Sequence, residues 1–452
     1  MPIDDPTRLL AGTGASLAIV TLGLADGGYA PAGWWSATFG FAVLTVAAFV
    51  LDPCPRLGAL SRLTFAALAL LTLWTAASAF WASNRELAIT DARRDVLYVA
   101  VLLALLLVAR SDGRALTHGT LAGIGALTGI ALAIFLLPLR SRSADPFEGY
   151  LLSEPIGYAN AVGVVAAVGV VLSLLMATAD ASLSGKRAYA MTATICTAAL
   201  ALSGSRASAV AVVIGVGIVL ALTPDRRSIV KVLLALAPGA ALALVLCALV
   251  DVKGVYPAFD TGRSAALAIG LVCAALIAGI AAPLGDAFLD NRPAILRRAA
   301  IGGAVLALFA CAGLATRVAA IADSRVEYWQ VAFQMARDRP FLGAGSGSFG
   351  SFWQASGADR GARDAHGAFT EAAAELGLPG LCLLSLALLM PFAAGIRARR
   401  TPWVAVAAGA YAAALLHEAL DWDREMPVVV VVSSSLAASL LSAAARGPDV
   451  DE

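Results

Sequence analysis

The amino-acid sequence predicts an all-α integral membrane protein, and three observations carry that prediction. Of its 452 residues, 60% are hydrophobic and 14% are charged, whereas soluble domains carry about 25% charged residues. The chain also contains many apolar runs of the roughly 20 residues that a helix needs to cross a bilayer. Segments such as 65–74 and 209–222 are apolar on nearly every side, unlike the alternating strands of a membrane barrel. Water is therefore not the main solvent of this chain.

Apolar windows mark the predicted crossings in chain order. They centre near residues 16, 43, 70, 102, 127, 167, 195, 214, 240, 275, 309, 382, 410 and 436. We therefore expect about 12 to 14 transmembrane helices in a single membrane domain. N-terminal helices are predicted over residues 1–322, one long extracytoplasmic loop over 323–366, and C-terminal helices over 367–452.

The predicted loop over 323–366 is the only segment long enough for an extramembrane substructure. From Ser324 to Arg337, apolar residues recur at helical spacing, which predicts an interfacial helix. Pro340 is expected to end this helix, and the glycine-rich segment 343–350 to form turns. The glycine spacing of that segment formally matches a dinucleotide-binding fingerprint, but we reject the match because no strand or βαβ unit surrounds it.

Charge in the predicted loops indicates the orientation. With an even number of crossings, one set of alternate loops is net positive and the other is net negative. The short basic loops at 226–231, 292–298 and 397–400 are typical of the cytoplasmic side. We therefore expect both termini in the cytoplasm. Because Met1 to Asp5 carries two acids and no basic segment, no cleaved signal peptide is expected.

Composition also argues against several classes of function. The six cysteines are widely spaced and mostly lie inside apolar runs, so we expect small core residues and no zinc site. A net charge of +1 gives no reason to expect nucleic acid as a partner. Neither a metal nor another cofactor is predicted.

Five polar clusters border the apolar runs, where charged groups are costly. They are Ser203 to Ser208 around Arg206; Ser324 to Trp329 with Arg325 and Tyr328; Asp364 to Ala368 with His366, followed by Glu375; His417 to Glu425 with Asp421 and Asp423; and Tyr158 with Asn160, after a loop that contains Arg142. Each has an ordinary explanation, such as a snorkelling arginine, an interfacial aromatic belt, a solvated turn or an asparagine that bonds a neighbouring helix. The Asp421-x-Asp423 spacing would also suit a divalent cation.

Four of these clusters fall on one side of the membrane under a topology set by other residues. Arg206, Arg325, His366 and Asp421 are all predicted to be extracytoplasmic. Two arginines suit a pyrophosphate through forked hydrogen bonds, and a neutral histidine can take a proton from an attacking hydroxyl. Because nucleotide sugars are absent from that side, the pattern indicates group transfer from a lipid pyrophosphate.

Motifs along the chain resemble those of the O-antigen ligase and polymerase family. They are Ser203 to Ala207, Ser324-Arg325-x-x-Tyr328-Trp329-x-x-Ala332, Arg337-x-x-Pro340-x-x-Gly343-x-Gly345, Ala365-His366 and Ala374-Glu375-Leu376-Gly377-Leu378-x-Gly380. Patterns around Tyr158 to Ala161 and Asp421 to Pro427 are similar to those of its members as well. The resemblance covers residues 60 to 440, and it is most specific between Ser324 and Gly380.

The resemblance implies a C-class glycosyltransferase fold in the bacterial inner membrane and an inverting, metal-independent reaction. The donor would be an undecaprenyl pyrophosphate-linked glycan, and the acceptor a glycan or lipid hydroxyl on the extracytoplasmic face. Carried over residue by residue, Arg206 and Arg325 would activate the pyrophosphate and His366 would be the general base. The remaining residues expected to bind substrate are Arg142, Tyr158, Asn160, Tyr328, Trp329, Glu375, Asp421 and Asp423.

Alternatives remain within and outside this family. Ligation of a glycan to a lipid core, polymerisation of repeat units and transfer to protein share the same motifs. A polytopic transporter or flippase of a polar lipid or solute would also explain the helices and the arginine between them. It would require polar residues near the bilayer midplane and gates on both faces, whereas the unusual residues here cluster on one side.

Overall fold

The computed structural model describes most of the chain and is helical there. It describes residues 6–52, 56–110, 112–137, 150–178, 182–250, 261–290, 292, 294–296, 298, 325–357 and 361–446. No strand occurs among these residues. Together with the apolar character of the helices, this confirms the prediction of an all-α membrane protein.

The α-helices follow the predicted windows closely. Their bounds are α1 Pro6–Leu24, α2 Trp34–Leu51, α3 Ala59–Ser78, α4 Arg85–Ala109, α5 Gly113–Leu136, α6 Ala159–Leu172, α7 Leu183–Ser203, α8 Arg206–Leu222, α9 Arg226–Leu249, α10 Thr261–Asp290, the helical residues 325–338 (α11), α12 Phe349–Ala355, α13 Ala368–Arg397, α14 Pro402–Glu418 and α15 Pro427–Arg446. The window near residue 309 lies outside the described residues. All other windows coincide with a helix.

In the part of the chain that the structure describes, nine helices are long and apolar enough to cross a membrane. These are α1, α2, α3, α5, α6 with the turn after it, α9, α10, α13 and α15. The helix α8 is apolar but only 17 residues long, and α4 carries charged residues in its first half. The predicted division at residues 322 and 366 stays a prediction.

Small residues let the central helices approach closely. Gly215 of α8 and Gly409 of α14 face each other, and a Cβ built on Gly215 would lie 2.9 Å from the carbonyl oxygen of Gly409. Such backbone proximity is how helices gain packing energy in lipid, where apolar side chains have no hydrophobic drive to associate. Around this contact, α6 and α15 form the buried centre of the bundle.

The outer surface is apolar, as expected where lipid is the solvent. Large side chains such as Phe39, Leu73 and Leu284 are mostly exposed. Our expectation that the cysteines are core residues is confirmed for Cys196, which is buried, but it is wrong for Cys273 and Cys382, which are exposed. An apolar run does not distinguish the side of a helix that faces its neighbours from the side that faces lipid.

A buried aspartate joins three helix ends at one edge of the bundle. Asp286 of α10 pairs with Lys186 of α7 at 2.5 Å and with Lys231 of α9 at 3.0 Å. Asp290 pairs with the same Lys231 at 2.7 Å. Two of the chain's three lysines are therefore used to fix these ends to one another.

Candidate active site

The buried carboxylate of Asp421 collects four hydrogen-bond donors. Its Oδ1 accepts from the Tyr158 hydroxyl and from the Trp422 amide, and its Oδ2 accepts from Asn160 Nδ2 and Arg325 Nη2, each at 2.9 Å. The Asp421 side chain is completely buried. Four predicted site residues, which lie on α6, α11 and the α14–α15 turn, therefore meet at one point. Their common effect is to fix Arg325, since a carboxylate with every donor in place has little freedom to move.

A second buried pair lies two residues further along the turn. His417, at the end of α14, contacts the carboxylate of Asp423 through Nδ1, and its Nε2 lies 3.4 Å from the Ser205 hydroxyl. Burial raises the pKa of Asp423, and the charge of His417 opposes that rise. Ser205 is also the N-cap of α8 and accepts from the Ser208 amide. The pair therefore connects the α14–α15 turn to the start of α8, where Arg206 lies.

Arg206 is the first residue of α8 and is exposed. Among the described residues it has no ion pair, in contrast to Arg325. Its guanidinium group is therefore available to an anionic ligand. Arg206 directly follows Ser205, whose hydroxyl lies 3.4 Å from His417 Nε2, and the described residues show no direct contact between Arg206 and Arg325.

His366 adopts an unusual backbone conformation, with φ +51°. This left-handed region is uncommon for residues other than glycine and occurs often at functional sites. The ring stacks on Tyr328 with centroids 4.9 Å apart, and Trp329 donates its indole N–H to the His366 carbonyl at 3.1 Å. Residues of α11 thus hold both the ring and the backbone of this histidine.

The proton position on His366 follows from its hydrogen bond. Nδ1 lies 3.1 Å from the Asp364 carbonyl oxygen, which can only accept. In the neutral ring Nδ1 therefore carries the proton, and Nε2 keeps a lone pair that can accept one.

Burial raises the pKa of the Asp364 carboxyl well above its usual range, and the charge of Glu425 raises it further.

The loop of His366 contacts the turn that holds Asp421. A Cβ built on Gly367 would lie 2.9 Å from the Ala419 carbonyl oxygen. Only glycine allows this approach without a shift, which gives a physical reason for Gly367 after the histidine. Through α11 and this contact, His366 and Arg325 belong to one site.

Glu375 of α13 secures the glycine-rich loop. Its Oε2 accepts from the Gly347 amide and its Oε1 from the Phe349 amide, both at 2.8 Å. The loop also bonds to the backbone of α13, where Gly345 donates to the Glu375 carbonyl at 2.8 Å. We predicted that Glu375 binds substrate. In the structure, however, both of its carboxylate oxygens accept hydrogen bonds from this loop.

Among the residues that the structure describes, two groups have the ligand types and spacing for a metal ion. In each group the ligand atoms lie within 4.8 Å of one another: His417, Asp421 and Asp423 in the first, and Asp364, Glu371 and Glu425 in the second. In the first group, Asp421 already accepts four protein donors and Asp423 contacts His417. The predicted residue Arg142 lies outside the described residues.

Sequence reasoning missed a set of charged residues on α4. Arg94 pairs with Asp91 and with Glu425, each at 3.2 Å, and Asp95 pairs with Arg424 at 3.5 Å. The signal was present, because residues 91, 94 and 95 share one helix face directly before an apolar run. Because these residues lie at the start of a predicted transmembrane segment, the sequence alone does not distinguish them from solvated loop charges.

Comparison with known proteins supports an enzyme of surface polysaccharide synthesis. Residues 191–385 match the family model described as O-antigen ligase, and this range includes Arg206, Arg325, His366 and Glu375. No curated protein matches the chain. The match does not favour the transporter alternative. The family acts as a glycosyltransferase-like ligase or polymerase on surface polysaccharide. Residues 191–385 of the chain are therefore similar to the O-antigen ligase domain, and this match supports the O-antigen ligase and polymerase family.

Proposed function

We propose that this protein transfers a glycan from an undecaprenyl pyrophosphate-linked donor to a hydroxyl group of an acceptor glycan or lipid. The reaction would take place on the extracytoplasmic face of the bacterial inner membrane, with both termini in the cytoplasm. The observation that carries the proposal is the arrangement of Arg325 and His366. The buried carboxylate of Asp421 holds Arg325, and His366 presents its basic Nε2 within the same site.

In the proposed mechanism, Arg206 and Arg325 bind the pyrophosphate of the donor. Guanidinium groups bond to phosphate oxygens in pairs and stabilise the negative charge that grows on a leaving pyrophosphate. His366 Nε2 takes the proton from the acceptor hydroxyl as its oxygen bonds to the anomeric carbon. The bond from that carbon to the pyrophosphate oxygen breaks, and its electron pair leaves with undecaprenyl pyrophosphate.

The proposed reaction inverts the anomeric carbon and needs no metal ion. The arginines supply the positive charge that a divalent cation supplies in many phosphate-dependent enzymes. A single displacement by the acceptor oxygen, on the face opposite the leaving group, inverts the configuration at the anomeric carbon. The side chains of Tyr158, Asn160 and Asp421 then act on the donor through Arg325.

Glycan transfer by purified protein in nanodiscs tests this proposal. The assay uses undecaprenyl pyrophosphate-linked oligosaccharide with and without candidate acceptors. Product that lengthens without an added acceptor indicates a polymerase, and product that requires one indicates a ligase. We expect Arg325→Ala to abolish either product. Arg85→Ala, which removes an exposed arginine at the start of α4, is the matched control. Full turnover by Arg325→Ala would refute the proposed role.

A further inference from the structure

A basic cavity lies at the end of the helix bundle opposite the candidate active site. Its volume is about 290 Å³, close to the lower limit of about 300 Å³ for typical ligand sites. The α13–α14 turn and the end of α15 form its walls, with Arg397 to Thr401, Ala443 and Ala444 in the lining. Both α13 and α15 begin near the site, close to His366 and Asp421, and both end at this cavity. The cavity is therefore separate from the proposed catalytic residues.

The described lining of the cavity carries positive charge only. Arg397, Arg399 and Arg400 line it and are exposed, and no acidic residue of the described part of the chain joins them there. Within that same part, none of the three arginines forms an ion pair. Arg399 donates to the Ile396 carbonyl of its own turn at 3.1 Å, which leaves its charge unbalanced. These guanidinium groups are therefore open to an external anion.

The first turn of α14 adds to the positive potential of the cavity. This helix begins at Pro402, and its N-cap residue Thr401 makes no side-chain hydrogen bond to the helix amides. Because a helix N-terminus carries a partial positive charge, it attracts anions. Guanidinium groups bond to phosphate oxygens in pairs, which favours phosphate over anions of other shapes. Arginines and helix end together suit a phosphate or phosphodiester group.

An apolar stripe on α13 leads to the cavity and indicates which phosphate compound fits. Leu386, Leu389 and Ile396 are 36 to 46% exposed. Arg397 continues this stripe, since positions 386 and 397 differ by only about 20° around a helix with 3.6 residues per turn. The acyl chains of a lipid can lie along these side chains while its phosphate reaches the arginines. A soluble phosphate compound would leave the stripe unused.

We propose that this cavity binds the headgroup of an anionic phospholipid whose acyl chains lie along α13. The orientation predicted above places the cavity in the cytoplasmic leaflet, where anionic lipids give the membrane a negative surface. Three arginines attract a headgroup of net negative charge and repel the ammonium group of a zwitterionic lipid. Phosphatidylglycerol should therefore bind at least about tenfold more tightly than phosphatidylcholine with the same acyl chains. This proposal does not depend on the transfer reaction proposed above.

Native mass spectrometry of the purified protein in a neutral detergent tests this site. Dioleoyl phosphatidylglycerol and dioleoyl phosphatidylcholine are titrated separately, and the affinity for the first bound lipid is compared. Arg397→Gln/Arg400→Gln should weaken the binding of phosphatidylglycerol by about 25-fold, since each arginine near an anionic headgroup contributes about fivefold.

The matched control is Arg226→Gln/Arg227→Gln. It removes two exposed arginines from the α8–α9 turn, which is predicted on the same side of the membrane, and neither residue lines the cavity. The net charge of the two double variants is the same, so a difference between them reports the cavity and not the general surface potential. All the mutated side chains are exposed, and thermal melts without lipid should give the wild-type melting temperature for both variants.

A titration with glycerol 3-phosphate distinguishes a lipid site from a site for soluble phosphates. This compound has the phosphate without acyl chains and should bind at least about a hundredfold more weakly than phosphatidylglycerol, because each buried methylene contributes about fourfold. Equal affinity for the two compounds would overturn the proposal. So would a failure to bind phosphatidylglycerol, equal affinity for phosphatidylcholine, or an equal loss of binding in the control variant.

Discussion

At the scale of single residues, the site depends on carboxylates that hold other groups. Asp421 illustrates this, since its oxygens accept from Tyr158, Asn160, Trp422 and Arg325 and its side chain is completely buried. A buried ion pair that loses one partner leaves an uncompensated charge, which costs more than the pair contributes when intact. Asp421 therefore acts through Arg325, and its loss should affect both stability and turnover.

Asp421→Asn should lower the free energy of unfolding by about 3 kcal/mol, because it leaves the Arg325 guanidinium without a charged partner. We also expect turnover to fall by about tenfold or more as Arg325 loses its orientation. Thermal melts and transfer assays in the same nanodiscs measure the two effects. Asp338→Asn removes an exposed acid from the same helix as Arg325 and should change neither. An unchanged melting temperature in Asp421→Asn would argue against the buried pair.

His366→Ala should lower kcat by about 10²- to 10⁴-fold, the usual contribution of a general base. The donor KM should change little, because in the proposed mechanism the arginines, and not His366, bind the pyrophosphate. Steady-state kinetics at saturating acceptor measure both constants. A rise in KM with kcat intact would make His366 a positioning residue.

Removal of divalent cations should leave transfer unchanged, because in the proposed mechanism the two arginines supply the positive charge. The assay is repeated after treatment with EDTA and again after Mg²⁺ is restored. Strong inhibition that Mg²⁺ reverses would instead indicate a functional metal ion, held by His417, Asp421 and Asp423 or by the second candidate group described above.

At the scale of elements, α13 contains a break that shapes the site. Gly377 has φ +65° and ψ −164°, a combination open only to glycine, and a Cβ there would lie 2.5 Å from the Phe341 carbonyl oxygen. Gly343 meets the same stretch from the other side, with a virtual Cβ 2.2 Å from the Glu375 carbonyl oxygen. The two glycines allow the loop after α11 to lie directly on α13.

Gly377→Ala should lower the free energy of unfolding by about 1 to 3 kcal/mol, from backbone strain at that position. Displacement of the loop should also reduce transfer. Gly129→Ala on α5 is the matched control, because nothing lies within 4 Å of its added Cβ and its backbone is helical. Equal melting temperatures for the two variants would show that Gly377 does not pack tightly against the Phe341 carbonyl.

Much of this arrangement could be predicted from sequence, and the limits have physical causes. Apolar length predicts helices such as α9 and α15 because lipid allows little else. Side chains that meet across the fold are not encoded by spacing: Arg325 and Asp421 are 96 residues apart, and nothing local indicates that they pair. The same holds for Arg94, whose partner Glu425 lies on a distant turn.

At the scale of the whole molecule, orientation remains a prediction that one experiment decides. We expect a fluorescent protein fused to the C-terminus to fluoresce, because such fusions mature in the cytoplasm, and an alkaline phosphatase fusion at the same point to be inactive. A phosphatase fusion after residue 357 in the predicted external segment should be active. The reverse pattern would move the site to the cytoplasmic face and remove the argument for a lipid-linked donor.

The ion pair between Arg325 and Asp421 has a consequence for the end of the catalytic cycle. An arginine that is ion-paired with a carboxylate binds an anionic product more weakly than an unpaired arginine does. The reason is that the product competes with the carboxylate, here that of Asp421, for the same guanidinium group. Tight retention of undecaprenyl pyrophosphate would stall the enzyme and withhold a carrier lipid that the cell must reuse. In the proposed mechanism, the carboxylate that orients the guanidinium toward the donor would therefore also ease the release of the spent carrier lipid.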